Sequence, residues 1–116
     1  MTSVGALFRL DGRVAVVTGG GGLLGYQHAA TIAGLGGLPI LLDIDAQALA
    51  ANAARLAEET GQQILTLEAD ITELDAVVAA AERVQAQYGR VDILINNAAR
   101  NPKVESVGDR DFSRLG

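Results

Sequence analysis

Four consecutive glycines, Gly19 to Gly22, follow an apolar and largely β-branched run from Val14 to Thr18, and Gly25 follows after Leu23 and Leu24. Glycines do their chemistry through the backbone, because a chain without Cβ atoms turns tightly and lets a ligand approach the main chain. A buried strand, a glycine turn and the start of an Ala-rich helix bring N–H groups and the positive end of a helix dipole to one point, and that point attracts phosphate. A glycine turn by itself is a weak signal, so its partners decide the reading. Asp43 closes a second apolar run, 18 residues past Gly25. A carboxylate there accepts hydrogen bonds from the two ribose hydroxyls of an adenosine and repels a 2′-phosphate. The next residues, Ile44 and Asp45, bring no cation, so NAD is expected over NADP. Asp70 closes a third run and has two readings: a helix cap, or a partner of the adenine amino group with Ile71 on the ring. Thr72 is available as the cap, which favours the adenine reading. Asn96 and Asn97 close a fourth run, where buried amides are costly unless paired. They either hold a turn or fix a loop beside the nicotinamide-side ribose.

The elements that must position these residues are legible from periodicity and punctuation. The first strand is expected over 13–18 and the first helix over about 23–35, with Leu24, Ile32 and Leu35 among its core contacts and Gly36 and Gly37 ending it. Ahead of them, Leu7, Phe8 and Leu10 could pin the lead-in to a sheet edge. The second strand spans 38–43. A helix over 46–60 follows, capped by Asp45, packed through Leu49, Ala53 and Leu56, and ended by Gly61. A third strand lies within 63–69. Thr72 and Asp75 resemble a capping box for a third helix over about 73–88, which repeats Leu74, Val77, Val78, Ala81, Val84 and Tyr88 at helical spacing. Gly89 ends that helix, and a fourth strand covers 91–96. Residues 100–116 read as loop, with at most a short helix near Phe112. The alternation implies an α/β fold, a doubly wound parallel sheet of the Rossmann type with strand order 3-2-1-4. It forms one domain over residues 1–116, with the ligand crevice at the carboxyl ends of the strands.

Composition narrows the class. Hydrophobic residues make up 49% of the 116, with aromatics at 3%, so the core must be built from Ala, Val, Leu and Ile. The net charge of −5 and the lack of a Lys/Arg-rich run argue against nucleic acid or an anionic membrane as partner. There is no cysteine, hence no thiol nucleophile and no cysteine metal site, and no metal is expected. No apolar run approaches the roughly 18 residues of a membrane span, and the N-terminus does not read as a signal peptide. A cytoplasmic protein is the default. His28, the single histidine, reads as a packing or surface residue, and Tyr26 and Tyr88 as helix positions. Asp109, Arg110 and Asp111 read as a solvated charge cluster.

Leu10 to Gly19, the glycine turn, Asp43, Asp70 with Ile71, and Val91 to Ala99 together resemble the short-chain dehydrogenase/reductase family, in order and spacing, over about residues 7–100. The glycines at 19, 22 and 25 fit Thr-Gly-x-x-Gly-x-x-Gly, typical of the extended branch, whereas Asn96 to Ala99 resembles the Asn-Asn-Ala-Gly of the single-domain branch. Leu23 stands where that second branch writes glycine. The resemblance implies an NAD-dependent oxidoreductase that moves hydride between nicotinamide and an alcohol or ketone. This chain would be the amino-terminal, cofactor-binding half. Cofactor contact falls to Gly19, Gly22, Leu23, Leu24, Gly25, Asp43, Ile44, Asp70, Ile71, Asn97 and Ala98. The family's Ser, Tyr, Lys and further Asn would fall after Gly116, so no catalytic residue is assigned here. Ile93, Leu94 and Ile95 would border an open sheet edge that invites self-association, and a homo-oligomer is expected. Two other readings are a non-catalytic NAD-binding or regulatory module, and an interaction fragment that binds no nucleotide.

Overall fold

The computed structural model describes residues 8–97. The expectations placed on Leu7, on Ala98 and Ala99, and on residues 100–116 lie outside them. Four parallel strands and three helices alternate: β1 (Val14–Thr18), α1 (Leu23–Gly34), β2 (Leu38–Asp43), α2 (Ala46–Thr60), β3 (Leu65–Glu68), α3 (Leu74–Tyr88) and β4 (Ile93–Ile95). The sheet order is β3-β2-β1-β4. Val16 pairs in register with Ile40 on one side and Leu94 on the other, and Leu42 pairs with Leu67. This is the 3-2-1-4 order read from the alternation, with element boundaries differing by a few residues at most.

Alternate residues of β1 and β2 serve two cores, because successive side chains of a strand point to opposite faces. Ala15, Val17 and Leu41 pack with Tyr26, Ala29 and Ile32 of α1 and Leu49 and Leu56 of α2. Val14, Val16, Ile40 and Leu42 pack with Leu67, Ala80 and Val84 on the other face. Both faces of the central strands are therefore covered, which is why they read as continuous apolar runs. Leu10 joins the first core as a partly buried residue, whereas Phe8 is exposed and pins nothing.

The helix contacts differ from the expected ones in two places. On α1, Leu24 faces solvent and Leu35 is only partly buried, while Tyr26 is buried instead. Its hydroxyl donates to Glu59 of α2, and Arg55 stacks 4.2 Å from its ring centre. That hydrogen bond pushes the Tyr26 hydroxyl above its ordinary pKa. On α3, Ala80 and Val84 are buried, with Ala76 and Tyr88 packed beside them. The face bearing Leu74 (75% exposed), Val77, Val78 and Ala81 points away from the sheet. Two apolar stripes compete on this helix. The one that contains two alanines wins because small residues let the helix approach the strands closely. Leu94 on β4 is 64% exposed on that same side of the sheet.

The amino ends of β1 and β4 are joined by Asp92. Its Oδ2 accepts from the Val14 N–H at 2.8 Å and from Arg90 Nε at 2.8 Å, and Arg13 lies 3.9 Å from Oδ1. The Val14 hydrogen bond, aided by Arg90, holds the Asp92 carboxyl below the usual carboxylate range. A carboxylate depressed in the folded state contributes stability above its unfolded pKa and loses it as pH falls through the folded value. Asp92→Asn should therefore unfold at lower denaturant than the parent at pH 7, with the gap closing below about pH 4. In the same denaturation assay, Leu56→Ala should cost about 2–5 kcal/mol, and Leu74→Ala less than about 1 kcal/mol, because only the former leaves a cavity.

Candidate functional site

At the carboxyl end of β1 the chain turns at Gly19, whose φ of +68° is a left-handed conformation that glycine adopts without strain. The Gly20 N–H donates to the Leu42 carbonyl at 3.0 Å, and the Gly22 N–H to the Gly19 carbonyl at 3.1 Å. α1 starts at once, with Gly22 as its N-cap. No side chain caps it, and its first turn carries no acidic residue. The first intrahelical bond runs from the Tyr26 N–H to the Gly22 carbonyl, so the N–H groups of Leu23, Leu24 and Gly25 have no partner within the helix. Gly25 allows this start to sit on the strand end. A Cβ there would lie 2.2 Å from the Gly19 carbonyl oxygen.

This helix end opens into a cleft of about 620 Å³ lined by Gly19, Gly22, Leu23, Leu24, Leu42, Asp43, Ile44, Ala69, Asp70, Ile71, Thr72 and Asn97. Nine of the residues assigned to cofactor contact thus share one cavity, although they come from four strand ends. Gly25 is buried behind the wall and serves close packing. Ala98 lies outside the described residues. Leu23, where one branch of the family resemblance would write glycine, stands at the first helical position and presents an exposed side chain to the cleft. Sequence reasoning did not single out Leu42, Ala69 or Thr72 as lining residues. They become visible only once the parallel register brings the ends of β2 and β3 together.

Asp43 does more than wall the cleft. Its Oδ2 accepts from the Gly21 N–H at 2.9 Å and its Oδ1 from the Asp45 N–H at 3.1 Å. Asp45 takes the helix-capping role, with Oδ1 accepting from the Ala48 N–H at 3.0 Å. The end of β3 differs from expectation. Thr72 does not cap α3; its N–H and its hydroxyl both donate to Asp70 Oδ1, at 2.9 and 2.6 Å. The helix begins one residue later than read, at Leu74, with Glu73 at the N-cap and no side-chain cap bond. A hydroxyl two residues downstream satisfies Asp70 more readily than it reaches forward, because the Asx turn is the more local closure.

Thr18 ties β1 to the loop after β4. The Asn97 N–H donates to Thr18 Oγ1 at 2.8 Å, and Oγ1 in turn lies 3.3 Å from the Ile95 carbonyl and from Asn96 Oδ1. The Asn pair therefore stands in a turn held by a buried threonine, with Asn97 on the cleft wall. From α2, Asn52 Nδ2 donates to the carbonyls of Gly20 at 2.8 Å and Gly22 at 3.0 Å. Sequence reasoning passed over Asn52 in an Ala-rich helix. Its spacing of three from Leu49 and four from Leu56 put an amide beside the packed face, where it must find partners. Among the described residues, no group of three or more His, Asp or Glu side chains is placed to hold a metal ion, and no helix is long and apolar enough to cross a membrane.

An uncapped helix start over a glycine turn, an acidic strand end beside it and a crevice at the carboxyl ends of parallel strands define a doubly wound α/β domain of the kind in which nucleotides bind at the strand ends. The comparisons with known proteins carry this further. The sequence model of the short chain dehydrogenase family matches residues 13–115. The D-threitol dehydrogenase of Mycolicibacterium smegmatis is 37% identical over 107 residues, which cover 90% of this chain and 41% of that protein. The 7alpha-hydroxysteroid dehydrogenase of Escherichia coli is 36% identical, over 91% of this chain and 42% of its own length. Among solved structures, the L-sorbose reductase of Gluconobacter frateurii, complexed with NADPH and L-sorbose, superposes with a TM-score of 0.75 at 28% identity, covering 91% of this chain and 40% of that one. An NAD+-bound xylitol dehydrogenase superposes with a TM-score of 0.73 at 34% identity, over 77% of this chain and 34% of that one. The chain belongs to the short-chain dehydrogenase family. It spans about two-fifths of the length of the curated relatives it matches.

The close contact between Gly19 and Gly25 makes a stability prediction. Gly25→Ala should destabilise the fold by about 1–3 kcal/mol, because the carbonyl it meets is backbone and cannot turn aside. Gly22→Ala, whose Cβ would meet nothing closer than 3.5 Å, should cost less in the same chemical denaturation.

Proposed function

We propose that this chain is the dinucleotide-binding half of an NAD-dependent oxidoreductase that acts on an alcohol or ketone carbon. The observation that carries the cofactor preference is the Asp43 carboxylate, which walls the same cleft as the uncapped start of α1. The residues fit such a group. The cleft volume of about 620 Å³ falls within the range of cofactor pockets. The N–H groups at the α1 start suit a pyrophosphate, and among the described residues no Lys or Arg lines the wall to receive a 2′-phosphate.

When bound, the nicotinamide supplies the hydride chemistry, and the chain supplies position and electrostatics. Leu23 and Leu24 offer main-chain donors and an apolar lip. Asp43 accepts from the adenosine ribose, and its negative charge disfavours a 2′-phosphate. Ile44 and Ile71 flank the adenine end, where Asp70 contributes an acceptor. Asn97 borders the nicotinamide side, on the turn held by Thr18. No catalytic group is assigned among the described residues; His28 and both tyrosines lie away from the cleft wall. The relatives act on polyols, a sugar and a hydroxysteroid, as their names state, which supports an alcohol or ketone as the substrate class. Solved neighbours carry NADPH in one case and NAD+ in another, so the preference here rests on Asp43.

Calorimetric titration of the chain with each dinucleotide should give tighter binding of NAD than of NADP. Asp43→Asn, which keeps an acceptor for Gly21 while removing the charge, should weaken NAD by about tenfold or more and narrow the difference between the two. A tighter NADP complex in the parent chain would overturn the assignment.

A further inference from the structure

We infer that Asn52 is a positioning residue for the pyrophosphate, acting through the glycine loop, and that α2 therefore takes part in cofactor binding. This rests on the reading of the cleft as a dinucleotide site. Gly20 and Gly22 each present a carbonyl to the Asn52 amide, at 2.8 and 3.0 Å. Carbonyls only accept, so the amide nitrogen must be the atom that faces them.

The consequence follows from the peptide planes. All the described peptides are trans, and a trans plane sends its C=O and the following N–H in opposite directions. With the Gly20 carbonyl held by Asn52, the Gly21 N–H turns to Asp43 Oδ2 at 2.9 Å. With the Gly22 carbonyl held by Asn52 and by the Tyr26 N–H at 3.0 Å, the Leu23 N–H points away from them. That N–H is the first of the donors at the start of α1. Glycines give the loop no side chains with which to resist a plane flip, and a flip would turn a carbonyl dipole toward the bound anion. Asn52 blocks this at two planes at once. The helix is close enough for the purpose: one turn earlier, Ala48 lies where a Cβ on Gly21 would come within 2.7 Å of it.

A role of this kind is specific to ligands that carry the pyrophosphate. Asn52→Ala suits an Ala-rich helix and should fold. In the full chain, NAD and ADP should bind it about tenfold more weakly than they bind the parent, whereas adenosine should change less than about twofold. Asn52→Asp places a carboxylate against two carbonyls and should lose more of the NAD and ADP affinity than the alanine variant. Titrations followed by calorimetry for NAD and ADP, and by NMR for adenosine, read the three affinities on one sample. Unchanged NAD and ADP affinity in Asn52→Ala overturns the inference. An equal loss for adenosine also overturns it, since a merely structural role weakens every ligand. A parent chain that binds none of the three removes the dinucleotide reading itself, which distinguishes that failure from an indifferent Asn52.

Discussion

Gly25 and the carbonyl of Gly19 approach so closely that no other residue fits at position 25 without moving the backbone. The rest of the site depends on this contact. It brings the start of α1 against the end of β1, where Gly22, Leu23 and Leu24 line the crevice. The loop is also held from outside. Asp43 from β2 and Asn52 from α2 supply the outside grip, one accepting an N–H and the other donating to two carbonyls.

Asp43 thereby carries two loads. Its carboxylate orders the glycine loop and also forms an acidic wall of the cleft, the wall proposed above for the adenosine ribose. In this fold the two are compatible because a carboxylate offers about four lone-pair sites and the backbone bonds use one on each oxygen. On the proposed reading the arrangement links cofactor choice to loop geometry: a change at position 43 that removes the carboxylate also removes a partner of the Gly21 N–H.

The sheet positions all of this by polarity. Parallel strands end together, so Thr18, Asp43, Asp70 and Asn97 meet although they are spread over some eighty residues of chain. The sheet is covered on both faces at β1 and β2 but thins out at β4. There Leu94 and the Leu74, Val77 and Val78 face of α3 remain exposed.

Much of this was legible in the sequence. Continuous apolar runs, helical spacing and terminal glycines specify α2 to the residue, with Asp45 as its cap and Gly61 at its end. The strand order and the row of strand-end polar residues followed from alternation and the parallel rule. These are local properties, written within a few turns or one strand. The remainder depended on which segments meet. Leu74, Val77 and Val78 have the spacing of a core stripe, yet α3 buries the stripe of Ala80 and Val84, because only distance to the sheet distinguishes two apolar faces. Thr72 turns back to Asp70 rather than capping α3, and Asn52 reaches across to a loop some thirty residues away. The type of a polar residue states that it must be paired; the tertiary structure decides with whom, because hydrogen bonds are satisfied by proximity in space and not in sequence.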